Sequence, residues 1–411
     1  MSRTSAADKG FTIEPLCGLV IVVPSFSRAR SARPRGDRLT SNFCAKWTSA
    51  KWSPGLRSPA LIPWLRKNLA EWPHDFRYTI KPNGNLTINY LDTAGGPLSP
   101  LHLAFSAGLC LLFCGGDDRD AERRALRQAM IVENLQQLYT DVFNDWIVAN
   151  EETAEELRWR AFAIEKYRTL RMRGSQWNFV DAFTVFRDWE EQKPDDAAQF
   201  TDSLVEADVT EFAKNPSTAN LVRDLAFAYL RPEQFPTHSA LVEQILYNQS
   251  GGIREREEND RVGKLMRSWS REGEKGKLFD GVGNIPIDGR VAHFELGQIP
   301  EHAADMRAAA NFLVANYGRQ KIISMPRSLP KIAIFEEASR TLDIPGGVRM
   351  IQEYYRQMRK FGCNILAVVQ QYDAIKNSPV RGAMIGNSKI FLYLKENGAK
   401  VYACQRSLTP M

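Results

Sequence analysis

Hydrophobic and polar positions along the chain fall into three regimes. Over residues 1–76 no helical or strand period holds for more than about eight residues, and Pro, Ser, Arg and Trp are frequent. From 77 the text becomes regular. "NLTINYL" (85–91) alternates, with Leu86, Ile88 and Tyr90 on one side, and predicts a strand that "GGP" at 95–97 ends. The apolar run "LHLAFSAGLCLLF" (101–113) reads as a buried helix, and helical periods then continue to about 250, in pieces at 119–147, 151–172, 176–192, 197–213, 217–229 and 238–248. Turn signals such as "MRGS", "KPDD" and "KNPS" separate them, with Asp181 and Asp202 near helix starts. A charged helix follows to about 270.

From 290 the pattern alternates. "RVAHFEL", "KIAIF", "NILAVVQ" and "KIFLYL" read as strands. Between them lie a helix with Met306, Ala310, Leu313 and Tyr317 on one side, and a second with Val348, Ile351, Tyr355, Met358 and Phe361 as its buried stripe and Gly362 as its stop. Fully apolar strands alternating with helices predict a parallel sheet covered on both faces. The expected organisation is an irregular segment over 1–76, the start of an α/β core over 77–115, a helical insertion over 116–270, and the rest of the core over 271–411.

Composition changes this picture little. At 411 residues, 44% apolar and 25% charged, the chain is ordinary for a globular protein. The net charge of +6 owes much to "SRARSARPRGDR" (27–38), so it does not argue for nucleic acid. Cysteines at 17, 44, 110, 114, 363 and 404 fit no zinc site or disulfide framework and suit a reducing compartment. The five histidines do not cluster, so no metal held by His or Cys is expected. "GLVIVV" (18–23) is too short to span a membrane, and no secretory signal is convincing.

The candidate chemistry lies in "KIAIFEEASR" (331–340). In an open parallel sheet ligands bind at the carboxyl ends of the strands, which is where Glu336 and Glu337 follow "IAIF". One carboxylate there could hold Mg²⁺ while a second orients an attacking water. The next strand ends in "VVQQY", which puts Gln370 on the same edge.

Taken in order, "PNGNLTINYLDT", "LFDGVGN", "VAHFELGQIP", "IAIFEEASR", "FGCNILAVVQQ" and "IGNSKIFLYL" resemble the C-terminal motor domain of conjugative type IV secretion ATPases of the TrbE/TraC kind, over roughly 77 to 411. The resemblance implies a RecA-like P-loop NTPase fold with a large helical insertion. It implies a hexamer working with other secretion-system subunits at the cytoplasmic face of the inner membrane, to power substrate transfer or pilus assembly with ATP and Mg²⁺. Glu337 matches the family's catalytic Glu, Glu336 stands where that motif usually has Asp, Gln370 matches the sensor Gln with Val369 in place of its Thr, and Asn387 matches a recurrent Asn before the last strand. A helix-terminal cap is the other reading of Asn387.

The phosphate loop of that family, G-x-x-x-x-G-K-[ST], has no match here. Gly263-Lys264 and Gly276-Lys277 are each followed by Leu and lack a glycine five positions earlier. The loop should precede residue 82, so residues 1–76 are expected to be out of frame or wrongly started, and the C-terminus to be short. Three readings follow: a damaged copy of the motor, a non-enzymatic scaffold on its fold, or a DNA-translocating relative. The mixed charges of the helical region argue against the last.

Overall fold

The computed structural model describes residues 18–22, 77–82, 84–115, 121–172, 177–248, 250–273, 275–285, 291–300, 302–336, 338–342, 347–369 and 372–388. The chain divides into two units. One comprises Leu16–Pro24 and Phe76–Ala383; the other takes Met1–Pro15, Ser25–Asp75 and Met384–Met411. The sheet and nearly all described helices belong to the first.

The fold is α/β and mostly helical, around a small mixed sheet. Its strands are β1 (Gly18–Val22), β2 (Arg77–Thr79), β3 (Val291–Glu295), β4 (Lys331–Phe335) and β5 (Cys363–Ala367), in the order β2-β3-β1-β4-β5. β2 pairs with β3, and β4 with β5, in parallel. β1 is antiparallel to both of its neighbours, with Gly18 opposite Glu295 and Leu19 opposite Phe335. The expectation of a wholly parallel sheet is therefore corrected. The four strands that follow residue 76 do share one direction, but β3 and β4 are not adjacent. The short apolar run in the irregular N-terminal segment lies between them and runs the other way. The expected strand "KIFLYL" lies outside the described residues.

The predicted strand over 85–91 is also corrected: no strand forms there. Ile88 and Tyr90 are buried as expected, but so are Asn89 and Leu91, so no alternation of buried and exposed positions holds over 88–91. The backbone bonds of this segment go to loops instead. Ile88 N–H donates to the Leu278 carbonyl (2.9 Å), Thr87 N–H to Asn284 Oδ1 (2.9 Å), and Asn284 N–H to the Thr87 carbonyl (3.1 Å). The sheet contact in this part of the chain is made by β2.

The helices follow their predicted pieces closely. They are α1 (Pro100–Phe113), α2 (Ala121–Ala149), α3 (Glu151–Arg171), α4 (Phe179–Gln192), α5 (Pro194–Asp202), α6 (Glu206–Lys214), α7 (Pro216–Ala226), α8 (His238–Tyr247) and α9 (Ile253–Arg267). The piece read as 197–213 is two helices, and Asp202 ends the first rather than starting a second. Asp181 does sit in a first turn: Asn178 Oδ1 accepts from Asp181 N–H and Asp181 Oδ2 accepts from Asn178 N–H, closing a capping box. α1 is apolar on most sides because it packs against α2 and against α10 (Ala304–Ser324).

Two buried polar arrangements hold this region. In the first, Tyr139 donates to the Leu91 carbonyl (2.6 Å), so His102 Nε2–H must donate to the Tyr139 hydroxyl (2.9 Å), and His102 Nδ1 then accepts from Gln320 Nε2 (2.6 Å). That chain has a place only for neutral His102. In the second, the buried Asp280 carboxylate accepts from Ser239 N–H (3.0 Å), Ser239 Oγ (2.5 Å) and Arg271 N–H (2.6 Å). It thereby fastens the glycine-rich 271–284 loop to the first turn of α8.

Replacing Asp280 by Ala orphans three donors at once. It is expected to cost on the order of 3 kcal/mol in urea-unfolding free energy, with little change when a surface acid such as Asp196 is replaced instead. For His102, burial first and the Arg319 charge second hold the imidazole down to about 4, from 6.5. A depressed His pKa means that its stabilising effect is complete above about pH 6.5 and fades as pH falls towards 4, by on the order of 3 kcal/mol. Half-buried Asp92 and Asp224, both raised to about 6 by desolvation, act in the opposite sense over the same interval. The stability difference between the parent and His102→Gln is therefore the quantity to follow, and it should shrink steadily on acidification.

Candidate functional site

β4 reads Lys-Ile-Ala-Ile-Phe, buried at four of its five positions, as a strand covered on both faces must be. It lies parallel to β5 with Phe335 opposite Ala367. Beyond that pair the two chain ends stay tied. Val368 N–H donates to the Phe335 carbonyl (2.9 Å), and Ala338 N–H donates to the Val368 carbonyl (3.0 Å). Ala338 begins the short helix α11 (Ala338–Leu342). Glu336 therefore leaves the sheet at its carboxyl edge, in a turn pinned on both sides, and is 7% exposed.

Of the residues the sequence singled out, Glu336 is thus at the expected edge. Glu337 and Gln370 lie outside the described residues, although Ala338 and Val369, their chain neighbours, sit at this edge. Asn387 is exposed and is the last residue of the helix α14 (Arg381–Asn387), which follows α12 (Gly347–Gln357) and α13 (Tyr372–Lys376). That is the helix-end position named as its second reading, and it belongs to the other unit.

Sequence reasoning missed Glu295. It ends β3, is 3% exposed, and stands opposite Gly18. Because β3 and β4 run the same way with one strand between them, Glu295 and Glu336 share an edge about 10 Å apart, two inter-strand spacings. The signal was present: "VAHFE" and "KIAIFE" both end an apolar run in Phe-Glu. Among the described residues, no group of three or more His, Cys, Asp or Glu side chains is placed to hold a metal ion, and Glu337 is not among them.

The amino edge of the sheet is closed by charge. Lys331 is fully buried and donates to the Pro326 (2.6 Å) and Phe361 (2.7 Å) carbonyls. Burial lowers its pKa to about 8, against the pull of the Asp188 charge. Asp188 of α4 accepts from Arg327 N–H (2.5 Å), and Asp181 of the same helix pairs with Lys360 (2.9 Å). α4 is thus clamped to the edge opposite Glu336.

The acidic edge suits a cation. A nucleotide also needs a glycine-rich loop beside those acids, leaving the neighbouring strand at the same edge. β1 is the neighbour, and it enters the sheet at the Glu336 edge and leaves at Val22, beside Ile332. The chain therefore leaves β1 at the edge opposite Glu336.

β5 is launched into this arrangement by Gly362, which stops the preceding 3₁₀ turn at φ +70°. A Cβ there would lie 2.5 Å from the Arg327 carbonyl. Gly362→Ala should accordingly cost about 2 kcal/mol or more in denaturant unfolding, above the ~1 kcal/mol that the left-handed conformation alone requires.

No family model matches the chain, and no curated protein matches it. Among solved structures, VirB4 of Thermoanaerobacter pseudethanolicus is similar over 78% of this chain and 68% of that one, with 13% identity and a TM-score of 0.40. So slight a likeness leaves the fold to be argued from the strands and helices of this chain itself.

Proposed function

We propose that this chain is a motor-type subunit of a type IV secretion system, on a RecA-like core, that does not turn ATP over by itself. The observation that carries the reading is the tied carboxyl edge of β4 and β5, where Glu336 emerges beside the end of the strand that leads to Gln370. The order of motifs from residue 82 to 394, which resembles conjugative secretion ATPases of the TrbE/TraC kind, supports the assignment to that machinery. In the complete relative Glu336 and Glu337 would face Mg²⁺ and the attacking water, Gln370 the terminal phosphate, and Asn387 the nucleotide.

The direction of β1 supports the second half of the reading. The acidic wall is kept, while the lysine and glycines that would bind phosphate are absent from the sequence and the chain leaves the central strand at the opposite edge. The role left is as an interacting subunit of a hexameric assembly peripheral to the inner membrane. Among the described residues, no helix is long and apolar enough to cross a membrane.

Titration calorimetry with Mg²⁺-ATP should give weak binding, and phosphate release should stay at the level of a buffer blank. Robust turnover that disappears in Glu337→Gln would overturn the non-hydrolytic reading while supporting the motor assignment. Failure to co-purify with secretion-system subunits from inner membranes would count against the assignment itself.

A further inference from the structure

Two lobes of the helical region carry opposite charge. Between Pro194 and Phe212 stand Asp195, Asp196, Asp202, Glu206, Asp208 and Glu211, with no Lys, Arg or His among them. All six are exposed. They line α5 and α6, and in the three-residue connection between those helices Val205, 57% exposed, stands between Asp202 and Glu206. Lys193 reaches Asp196 (3.2 Å); among the described residues the other five acids make no ion pair.

The second lobe is the last part of α9 and the loop after it. From 261 to 277 the chain carries Arg261, Lys264, Arg267, Arg271, Lys275 and Lys277 against two acids, Glu272 and Glu274. Lys264 and Arg267 are one helical turn apart on the exposed side of α9, and Leu265 beside them is 40% exposed. The loop then folds back. Arg271 N–H is held by Asp280 (2.6 Å), and a Cβ on Gly276 would lie 2.7 Å from the Arg271 nitrogen, so Lys277 follows directly beside that turn. Arg261, Lys264 and Lys275 pair with Glu258, Asp260 and Asp305; among the described residues Arg267, Arg271 and Lys277 pair with no carboxylate.

Unpaired charge of one sign attracts the opposite sign over about a Debye length, ~8 Å in physiological salt. Both signs are carried by this chain on separate elements, and among the described residues no ion pair joins the two lobes within one copy. We propose that the acidic lobe of one copy docks on the basic lobe of another, head to tail. Each lobe holds an exposed aliphatic side chain among its charges, Val205 on one and Leu265 on the other, so contact buries an apolar centre inside a charged rim. After the first contact each copy still has one lobe free, and growth continues until a ring closes. This gives the hexameric assembly its contact surface, and it rests on that reading only for the size of the ring.

Sedimentation velocity of the purified full chain tests this. Species larger than a dimer should form in about 0.05 M sodium chloride and return to monomer in about 0.5 M. Asp202→Lys with Glu211→Lys puts positive charge at the carboxyl ends of α5 and α6, where helices favour it, so folding is spared. That variant, and Arg267→Glu with Lys277→Glu, should each weaken self-association by about tenfold or more. Mixed in equal amounts, the two variants should form a dimer and nothing larger, because one complementary pair of lobes survives between them. A parent chain that is monomeric or stops at the dimer in low salt, self-association indifferent to both variants, or a mixture that stays monomeric would overturn the proposal. So would loss of binding to duplex DNA or to anionic phospholipid vesicles in Arg267→Glu with Lys277→Glu while self-association persists. Such a failure leaves the motor assignment standing, because that is read by co-purification with secretion-system subunits and not by self-association.

Discussion

The sheet depends on filling one slot. β3 and β4 run in the same direction with room for one strand between them; β4 is largely buried, and β3 is buried at Phe294 and Glu295. The N–H and C=O groups they turn towards each other must be paired, because an unpaired buried backbone group costs as much as a lost hydrogen bond. β1 supplies those partners to both sides through five residues. Without it β2-β3 and β4-β5 would be separate two-stranded ribbons, which are marginal on their own. The direction in which β1 runs then decides what the carboxyl edge can do. It brings Gly18, where β1 begins, to the edge where Glu295 and Glu336 end their strands.

Buried charge fixes how the helices meet this sheet. Lys331, Asp188, Arg327, Asp181 and Lys360 close the amino edge, and the Arg127–Glu258 pair (2.5 Å) joins α2 to α9. Such groups add little net stability over apolar replacements, but removing one partner leaves the other buried and uncompensated. They therefore act as registration points. The helix α4 grips one edge of the sheet, opposite the acidic turn at Glu336.

Much of this was legible from residue order. The helices from α1 to α9 follow from period and capping: Ser99 before Pro100, Asn178 with Asp181, Asn215 before Pro216. β3, β4 and β5 follow from short apolar runs, and Glu336 at a strand end follows from the same pattern. The 85–91 segment misled because alternation reports which side chains are buried, and says nothing of which backbone groups pair. Its partners lie about 190 residues away, at Leu278 and Asn284. Glu295 went unnoticed for a related reason, since its significance lies in sharing an edge with Glu336 across an intervening strand.

By itself the sequence determined the local elements, the apolar faces they bury, and the acids that end β3 and β4, because these depend on contacts a few residues apart. Only the tertiary structure decided that Gly18–Val22 enters the sheet and that it runs antiparallel. Those outcomes rest on backbone hydrogen bonds between segments as much as 316 residues apart, and local periodicity carries no record of them.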